Sequence, residues 1–282
     1  MRLRARWKRL IVIVRRLWQE SMSDNAFGRA AELAYFFLLT LFPLLIILFS
    51  LFSFLPGIQE ALRGWLSSLM PHQAMELVEH WLVDFVDQRS GGLLSLALLF
   101  ALWTASTGMY AVIGTLNIAY DVEETRPIWK LALISMTLTL ASSVLCVGGH
   151  LLILFGGWLV KWTTRWLGLH DSIAFTWKAA QYLIATLLLI LSVDLIYYLA
   201  PNLRRRWRWL TPGAVFAVLA SIIASLLFSV YLKFMPGYSL IYGSLGAFVV
   251  LMLWMYLLGL ALFLGGEINA YLRWRKSSES WP

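Results

Sequence analysis

Residues 243–266 read GSLGAFVVLMLWMYLLGLALFLGG, and none of these 24 residues is Asp, Glu, Lys or Arg. As an α-helix this stretch is about 36 Å long, which is enough to cross a hydrocarbon core of about 30 Å. A helix of a soluble protein keeps a polar face toward water, and this stretch has none. It is therefore predicted to be a transmembrane helix.

Five further stretches of the same kind precede it. Together the six predict an all-α polytopic membrane protein with transmembrane helices at 33–55, 93–116, 131–157, 179–200, 212–234 and 243–266. The chain is 60% hydrophobic and 13% charged, with a mean hydropathy of +0.74, which excludes a water-soluble domain. We expect a basic amphipathic segment at 1–30, a transmembrane domain at 31–270 that includes an outer loop at 56–92, and a tail at 271–282.

The distribution of Lys and Arg predicts the orientation. Of the 23 basic residues, 17 lie in the segments that share a side with the N-terminus, and six lie on the other side. Because Lys and Arg concentrate in cytoplasmic segments, both termini are predicted to be cytoplasmic. The net charge of +8 is thus interpreted as a topology signal, and no nucleic-acid partner is predicted. The basic residues expected at the inner membrane surface are Arg9, Arg15, Arg16, Arg204, Arg205 and Arg206.

Two segments outside the spans are predicted to be amphipathic helices. Apolar residues recur at helical spacing over residues 7–18, opposite a cationic face, which predicts an interfacial helix on the inner leaflet. A nucleic-acid-binding arm is the rival interpretation, and a Trp-rich apolar face does not favour it. The outer loop repeats the pattern over residues 77–86, so a helical outer loop is expected to cap the bundle. Its carboxylates are interpreted as the solvated face of that helix, and no metal or cofactor site is predicted.

Ionisable residues at membrane depth are the first candidate functional residues, because each costs about 2.5–3.5 kcal/mol on insertion scales. Asp194 lies about 10 Å from the inner end of its helix, within reach of Arg204, Arg205 or Arg206. An interfacial salt bridge and a proton or cation relay are its two interpretations. Glu267 and Asn269 follow the sixth span. Glu267 either ties that helix end to the cytoplasmic loops or faces an inner cavity.

Further candidates interrupt the apolar spans. Pro43 predicts a kink in the first span, because proline removes a backbone hydrogen bond. Thr104 and Asn117 belong to a polar side of the second span, which we expect to face protein or water. Tyr242 and Gly243 predict a break before the sixth span. A bundle with these features encloses either a polar cleft or only a hydrogen-bonded seam.

Several short motifs occur in a characteristic order over about residues 20–272. They are Ala34-Tyr35, Thr40 to Pro43, Leu116-Asn117, Ala119-Tyr120 with Glu124, Ala200-Pro201-Asn202, Pro212-Gly213-Ala214, Tyr238 to Gly246, Trp254-Met255-Tyr256 and Gly265 to Asn269. Together they resemble the YihY/BrkB family. The resemblance implies a multi-pass, six-helix protein of the bacterial inner (plasma) membrane and adds Tyr35 to the candidates. The family pattern has Gly-Ala-Glu where this chain has Gly265-Gly266-Glu267. Family members have carried a ribonuclease label and are associated with envelope phenotypes that include lipid export.

Two functions from different classes are predicted. The first is assisted transport or export of a lipid or other envelope component, with membrane lipids as partners. The chain would have no ATPase activity of its own, since no Gly-rich phosphate loop with Lys is found in it. The alternative is a non-catalytic envelope scaffold whose outer loop docks an envelope protein.

No enzymatic activity is predicted. Metal-dependent hydrolysis of RNA needs clustered His and carboxylate groups. The four His residues, at positions 72, 80, 150 and 170, are all predicted to lie in the membrane or on its outer side, whereas RNA is inside. Glycines at 148–149 and 156–157 would serve helix contacts within one chain or between two copies equally well, so a homo-oligomer is one of two interpretations.

Overall fold

A computed structural model describes residues 12, 15–52, 75, 91–167, 171–203, 206–234 and 238–277. Six long helices form the fold: α1 (Ala26–Phe52), α2 (Gly91–Ala119), α3 (Ile128–Leu167), α4 (Asp171–Leu199), α5 (Pro212–Lys233) and α6 (Tyr238–Ser277). A shorter helical segment, residues 15–23, precedes α1 across a turn at Asp24 and Asn25. Over these ranges there is no strand, so the all-α prediction is confirmed there.

Four of the helices contain a stretch that is long and apolar enough to cross a membrane. These stretches are Ile128–Ile153, Trp177–Leu199, Pro212–Leu232 and Phe248–Trp274. Their outward faces expose large apolar side chains at helical spacing, for example Leu133, Leu140 and Val144 on α3. Such a surface is stable against lipid and unfavourable against water. The spans assigned to α1 and α2 stay predictions.

Two pairs of consecutive helices, α3 with α4 and α5 with α6, run in opposite directions. In α3 and α4, Ser142 lies beside Ser192 whereas Gly156 lies beside Gln181. In α5 and α6, Gly213 lies beside Gly265, and the Ser225 hydroxyl accepts a hydrogen bond from Trp254. Each of these two pairs therefore forms an antiparallel hairpin.

The helices close into a ring. Each helix packs on the next along the chain, and α1 packs on α6, which also contacts α2. Ala30 and Leu33 of α1 lie beside Gly259, while Ala26 shares a buried cluster with Phe263 and Ala270. Because α1 and α6 are thus antiparallel, the start of α1 and the last turns of α6 lie at the same end of the bundle.

The helix boundaries correct one expectation. α6 begins at Tyr238 and is continuous through Tyr242 and Gly243, so the predicted break is absent. A single glycine costs a helix only about 1 kcal/mol relative to alanine, and no proline lies between residues 238 and 277. α1 is likewise helical through Pro43, and its predicted kink stays a prediction.

Two predicted features lie largely outside the described residues. Of the amphipathic segment at 7–18, the structure describes residue 12 and residues 15–18, which are helical. Of the outer loop, it describes Met75, which is helical and buried, and the first residues of α2. The interfacial helix and the helical outer loop therefore stay predictions.

Candidate functional site

Four of the predicted candidates come together where α2 and α4 end and α1, α3 and α5 begin. Asn117, Asp194, Glu267 and Asn269 are all buried there. We call this region, residues 20–26, 117–128, 194–203, 206–213 and 262–270, the loop end of the bundle. Three groups of polar contacts occupy it.

The first group is the Thr211 network, which holds the start of α5. Thr211 is the N-cap of α5, and its hydroxyl oxygen accepts a hydrogen bond from the Ala214 N–H at 3.4 Å. Asp194 of α4 accepts hydrogen bonds from both the backbone N–H and the hydroxyl of Thr211. Asn269 of α6 donates to the Thr211 hydroxyl oxygen at 2.9 Å and accepts from the Gly213 N–H at 2.8 Å. The first N–H groups of a helix have no hydrogen-bond acceptor within the helix. The side chains of Thr211 and Asn269 accept these hydrogen bonds in place of water.

Close backbone contact makes this network possible. A Cβ at Gly265 would lie 2.5 Å from the Gly213 carbonyl oxygen and would also meet the Tyr197 hydroxyl. Tyr197 is fully buried and donates that hydroxyl to the Leu262 carbonyl at 2.6 Å. Small residues at 213 and 265 thus let α4, α5 and α6 meet at one point.

The second group is the Asn117 network, which joins the α2–α3 loop to the end of α4. The Asn117 side chain donates to Glu124 at 2.9 Å and accepts from the Asn202 backbone N–H at 2.8 Å. Asn202 in turn donates to the Glu123 carbonyl and to the Thr125 hydroxyl. The loop is therefore fixed to α4 from both sides.

Arg126 completes the Asn117 network. Its guanidinium donates to Glu124 and, at 2.8 Å, to the Ala200 carbonyl at the end of α4. A cation suits this position, because the last carbonyls of a helix are unpaired and carry partial negative charge. The hydrogen bonds from Arg126, together with the one from Asn117, lower the pKa of Glu124 from 4.5 to about 2.

The third group is a carboxyl cluster formed by Glu20, Asp24, Asp121 and Glu267. Glu267 is only 2% exposed, and its Oε1 atom has no hydrogen-bond partner. The Glu267 carboxyl lies within hydrogen-bonding distance of the Asp24 carboxyl and is close to Asp121 and Glu20. Burial, followed by the negative charges of Asp24 and Glu20, raises the pKa of Asp121. The described residues hold no group of three His, Cys, Asp or Glu with the geometry of a metal site.

The roles predicted for Asp194 and Glu267 can be compared with these contacts. The contacts of Asp194 with Thr211 are those of a structural cap, while Arg204 and Arg205 lie outside the described residues. Glu267 lies inside α6, ten residues before the last residue of that helix. Its acidic neighbours come from the turn before α1, the end of α2 and the helical segment before α1. Both interpretations of Glu267 stay predictions.

Tyr35 and Thr104 do not join the loop end. Tyr35 is 52% exposed, with its ring edge-to-face on Phe36. Thr104 donates to the Phe100 carbonyl at 2.7 Å, and Ser106 and Thr107 also donate to carbonyls of their own helix. The expectation that the polar side of α2 must face protein or water therefore does not hold for these hydroxyls, because their own helix satisfies them.

For the remaining candidates, the structure gives either the position in a helix or the exposure of the side chain. Pro43 lies within α1, and Tyr242 and Gly243 lie in the first turns of α6. Arg15, Arg16 and Arg206 are exposed. Arg9 lies outside the described residues, as do Arg204 and Arg205. Exposed Trp18, Trp129 and Trp209 lie in the same segments as the basic residues, and such side chains favour a membrane–water interface.

Thr211, Tyr197, Asp24 and Asp121 did not stand out in the sequence. The Thr211-Pro212 pair carries a usable signal, because Thr favours the N-cap and Pro the first position of a helix. Nothing in the sequence marks Asp24 and Asp121 as neighbours of Glu267, since the three come from different helix ends. Only the packing of α1 and α2 on α6 brings them together.

Comparison with known proteins gives consistent results. Residues 17–281 match the family model described as virulence factor BrkB. The chain is 42% identical over 249 residues to the ribonuclease-like protein YfkH of Bacillus subtilis, covering 88% of this chain and 90% of that one. It is 29% identical to UPF0761 membrane proteins of Verminephrobacter eiseniae and Chromohalobacter salexigens, over 89% and 97% of this chain.

The chain spans 59% and 66% of the lengths of those two membrane proteins. No solved structure matches the chain.

Proposed function

We propose that this chain, which belongs to the virulence factor BrkB family of integral membrane proteins, assists the transport or export of a lipid or other envelope component across the inner membrane. In this proposal the bundle itself forms the path, and the chain hydrolyses no ATP. Both termini are cytoplasmic, so the loop end of the bundle faces the cytoplasm.

The observation that carries the proposal is a pair of buried polar atoms without partners inside an apolar bundle. Thr115 on α2 and Glu267 on α6 are each 2% exposed, and Thr115 Oγ1 and Glu267 Oε1 make no hydrogen bond. Leaving such an atom unpaired costs about 1–3 kcal/mol, so it requires an explanation. A polar headgroup passing through the bundle would supply hydrogen-bond partners for these atoms.

A nuclease is not proposed, although the Bacillus subtilis relative has a ribonuclease-like name. The carboxyl cluster has no metal-site geometry, and neither does any other group of His, Cys, Asp and Glu among the residues that the structure describes. That the chain is not an enzyme stays a prediction. The scaffold alternative also stays a prediction, because its docking loop lies mostly outside the described residues.

A leaflet-exchange assay tests the proposal. The purified protein is reconstituted into vesicles containing headgroup-labelled phospholipids, and a membrane-impermeant quencher reports the labels that reach the outer leaflet. We expect the wild-type protein to speed this movement. Thr115→Val keeps the shape of the side chain and removes the unpaired hydroxyl, and it should change the rate several-fold.

Thr137→Val is the matched control, because the Thr137 hydroxyl is on the exposed face of α3 and donates to its own helix. It should leave the rate unchanged. If the folded wild-type protein moves none of the labelled phospholipids, the proposal that it transports phospholipids is wrong. Equal rates for the two valine variants would exclude the Thr115 hydroxyl from the path.

A further inference from the structure

Glu267 is a buried ionisable group with an unpaired oxygen. Its side chain is 2% exposed and lies in a span of α6. One carboxyl oxygen has no hydrogen-bond partner, and the carboxyl group is within hydrogen-bonding distance of a second carboxyl, that of Asp24. An ionised carboxylate only accepts hydrogen bonds, so two carboxylates at this distance cannot bond to each other.

The charges that face Glu267 are negative. Asp24 comes from the turn before α1, Asp121 from the end of α2, and Glu20 from the helical segment before α1. From the start of α5, the uncharged Gly213 and the N-cap residue Thr211 bind Asn269, two residues after Glu267. Arg29, on the first turn of α1, forms an ion pair with Glu32 at 2.9 Å. No cation among the described residues is paired with Glu267.

A single proton bound to one of the two carboxyls removes the conflict between them. When one of the two carboxyls is protonated, it becomes a donor, and the Glu267–Asp24 contact becomes a hydrogen bond between a carboxylic acid and a carboxylate. The net charge of the pair also falls from −2 to −1, which relieves repulsion in a site with little water. Carboxyl pairs that share one proton because both cannot ionise are known from other proteins.

We propose that Glu267 and Asp24 form a proton-binding site at the junction of α1, α2 and α6. The proton comes from water at the loop end, where Asp121 is exposed and Asp24 is half-buried. It forms an O–H bond on one carboxyl and is returned to the same water when the site empties. Emptying the site places two carboxylates against each other and so weakens the contact between the turn before α1 and α6.

This site would have a direct use in transport. A proton that binds at one end of the bundle and alters the contact between α1 and α6 couples pH to the opening of the ring. That use rests on the proposed function, whereas the presence of the proton does not.

Infrared spectroscopy tests the proton directly, without any transport assay. The full-length protein is placed in lipid nanodiscs at neutral pH, and the C=O stretch of a protonated carboxylic acid is recorded in H₂O and D₂O. We expect one such band in the wild-type protein that is absent from Glu267→Gln. Glu123→Gln is the matched control, because Glu123 is exposed in the α2–α3 loop, and it should keep the band.

Asp24→Asn provides a second variant should Glu267→Gln not fold. It replaces the hydrogen-bond partner of Glu267, so the band should shift in frequency. Absence of the band from the wild-type protein, or an unchanged band in whichever of these variants folds, overturns the proposal. Vesicles that move no lipid would count against the transport function and leave the proton site standing.

Discussion

At the scale of single residues, the loop end depends on two adjacent glycines with different surroundings. A Cβ at Gly265 would meet the Gly213 backbone carbonyl and the hydroxyl of Tyr197, which is fully buried and bonded to the Leu262 carbonyl. A Cβ at Gly266 would lie 2.7 Å from Leu116 Cδ2, the far end of a flexible side chain. The family pattern of Gly-Ala-Glu at 265–267 fits this difference, because it has alanine only at the tolerant position.

We therefore predict that Gly265→Ala destabilises the protein by about 1–3 kcal/mol, as overpacked sites do. Gly266→Ala should have a much smaller effect, since the gain in helix propensity, about 1 kcal/mol, offsets the shift of Leu116. Thermal unfolding of both variants in the same detergent measures the difference. Equal melting temperatures would show that α5 and α6 are not in close contact at Gly265.

At the scale of helices and loops, the Asn117 network ties the end of α4 to the α2–α3 loop by charge. Glu124 accepts hydrogen bonds from Asn117 and Arg126, and Arg126 pairs the last carbonyls of α4. The residues of this network are close in sequence to helix ends, where backbone groups lack partners. Glu124 therefore contributes to the order of the loop, beside the hydrogen bonds from Asn202.

Acid should release this loop. The pKa of Glu124 is about 2 in the folded protein and 4.5 without these contacts, so the folded protein binds fewer protons than the unfolded one between these values. The stabilisation is therefore complete above about pH 4.5 and is lost as the pH falls toward 2. Hydrogen exchange of the amides at 120–126 should speed up over this range.

Glu124→Gln provides the comparison. It should exchange faster than the wild-type protein at neutral pH, and its exchange should lack the acid transition at this loop once intrinsic rates are subtracted. If Glu124→Gln shows an acid transition of equal size, a group other than Glu124 causes the faster exchange at low pH.

At the scale of the whole molecule, the antiparallel packing of α1 on α6 determines which described residues share an end of the bundle. The start of α1 packs beside the last turns of α6, so residues near 22 and 273 share an end of the bundle. Residue 178, near the start of α4, lies toward the opposite end. The charge count then predicts which end is cytoplasmic.

Thiol labelling in intact cells tests both statements. In a Cys146→Ser background, a membrane-impermeant reagent should label Lys178→Cys, and it should label Met22→Cys and Arg273→Cys only after permeabilisation. All three positions are exposed. Labelling of positions 22 and 273 from different sides of the membrane would contradict the packing of α1 on α6. If positions 22 and 273 were labelled in intact cells and position 178 only after permeabilisation, the predicted orientation would be wrong.

The membrane class, the all-helical fold and the approximate helix positions could be predicted from the sequence. The length of an apolar stretch and the distribution of Lys and Arg around it can be counted in the sequence. They determine membrane insertion and orientation in the same way in any protein. Asn117, Asp194, Glu267 and Asn269 could be singled out because a polar group in an apolar run is conspicuous by itself.

Only the tertiary structure decided what these residues contact. Asp194 meets Thr211 and Glu267 meets Asp24 across 17 and 243 positions of sequence, because antiparallel packing brings distant helix ends together. The structure also showed that α6 is continuous through Tyr242 and Gly243, and that the hydroxyls of α2 bond to carbonyls of their own helix. A sequence states which groups need partners; the free energy of packing the helices together determines which partners they get.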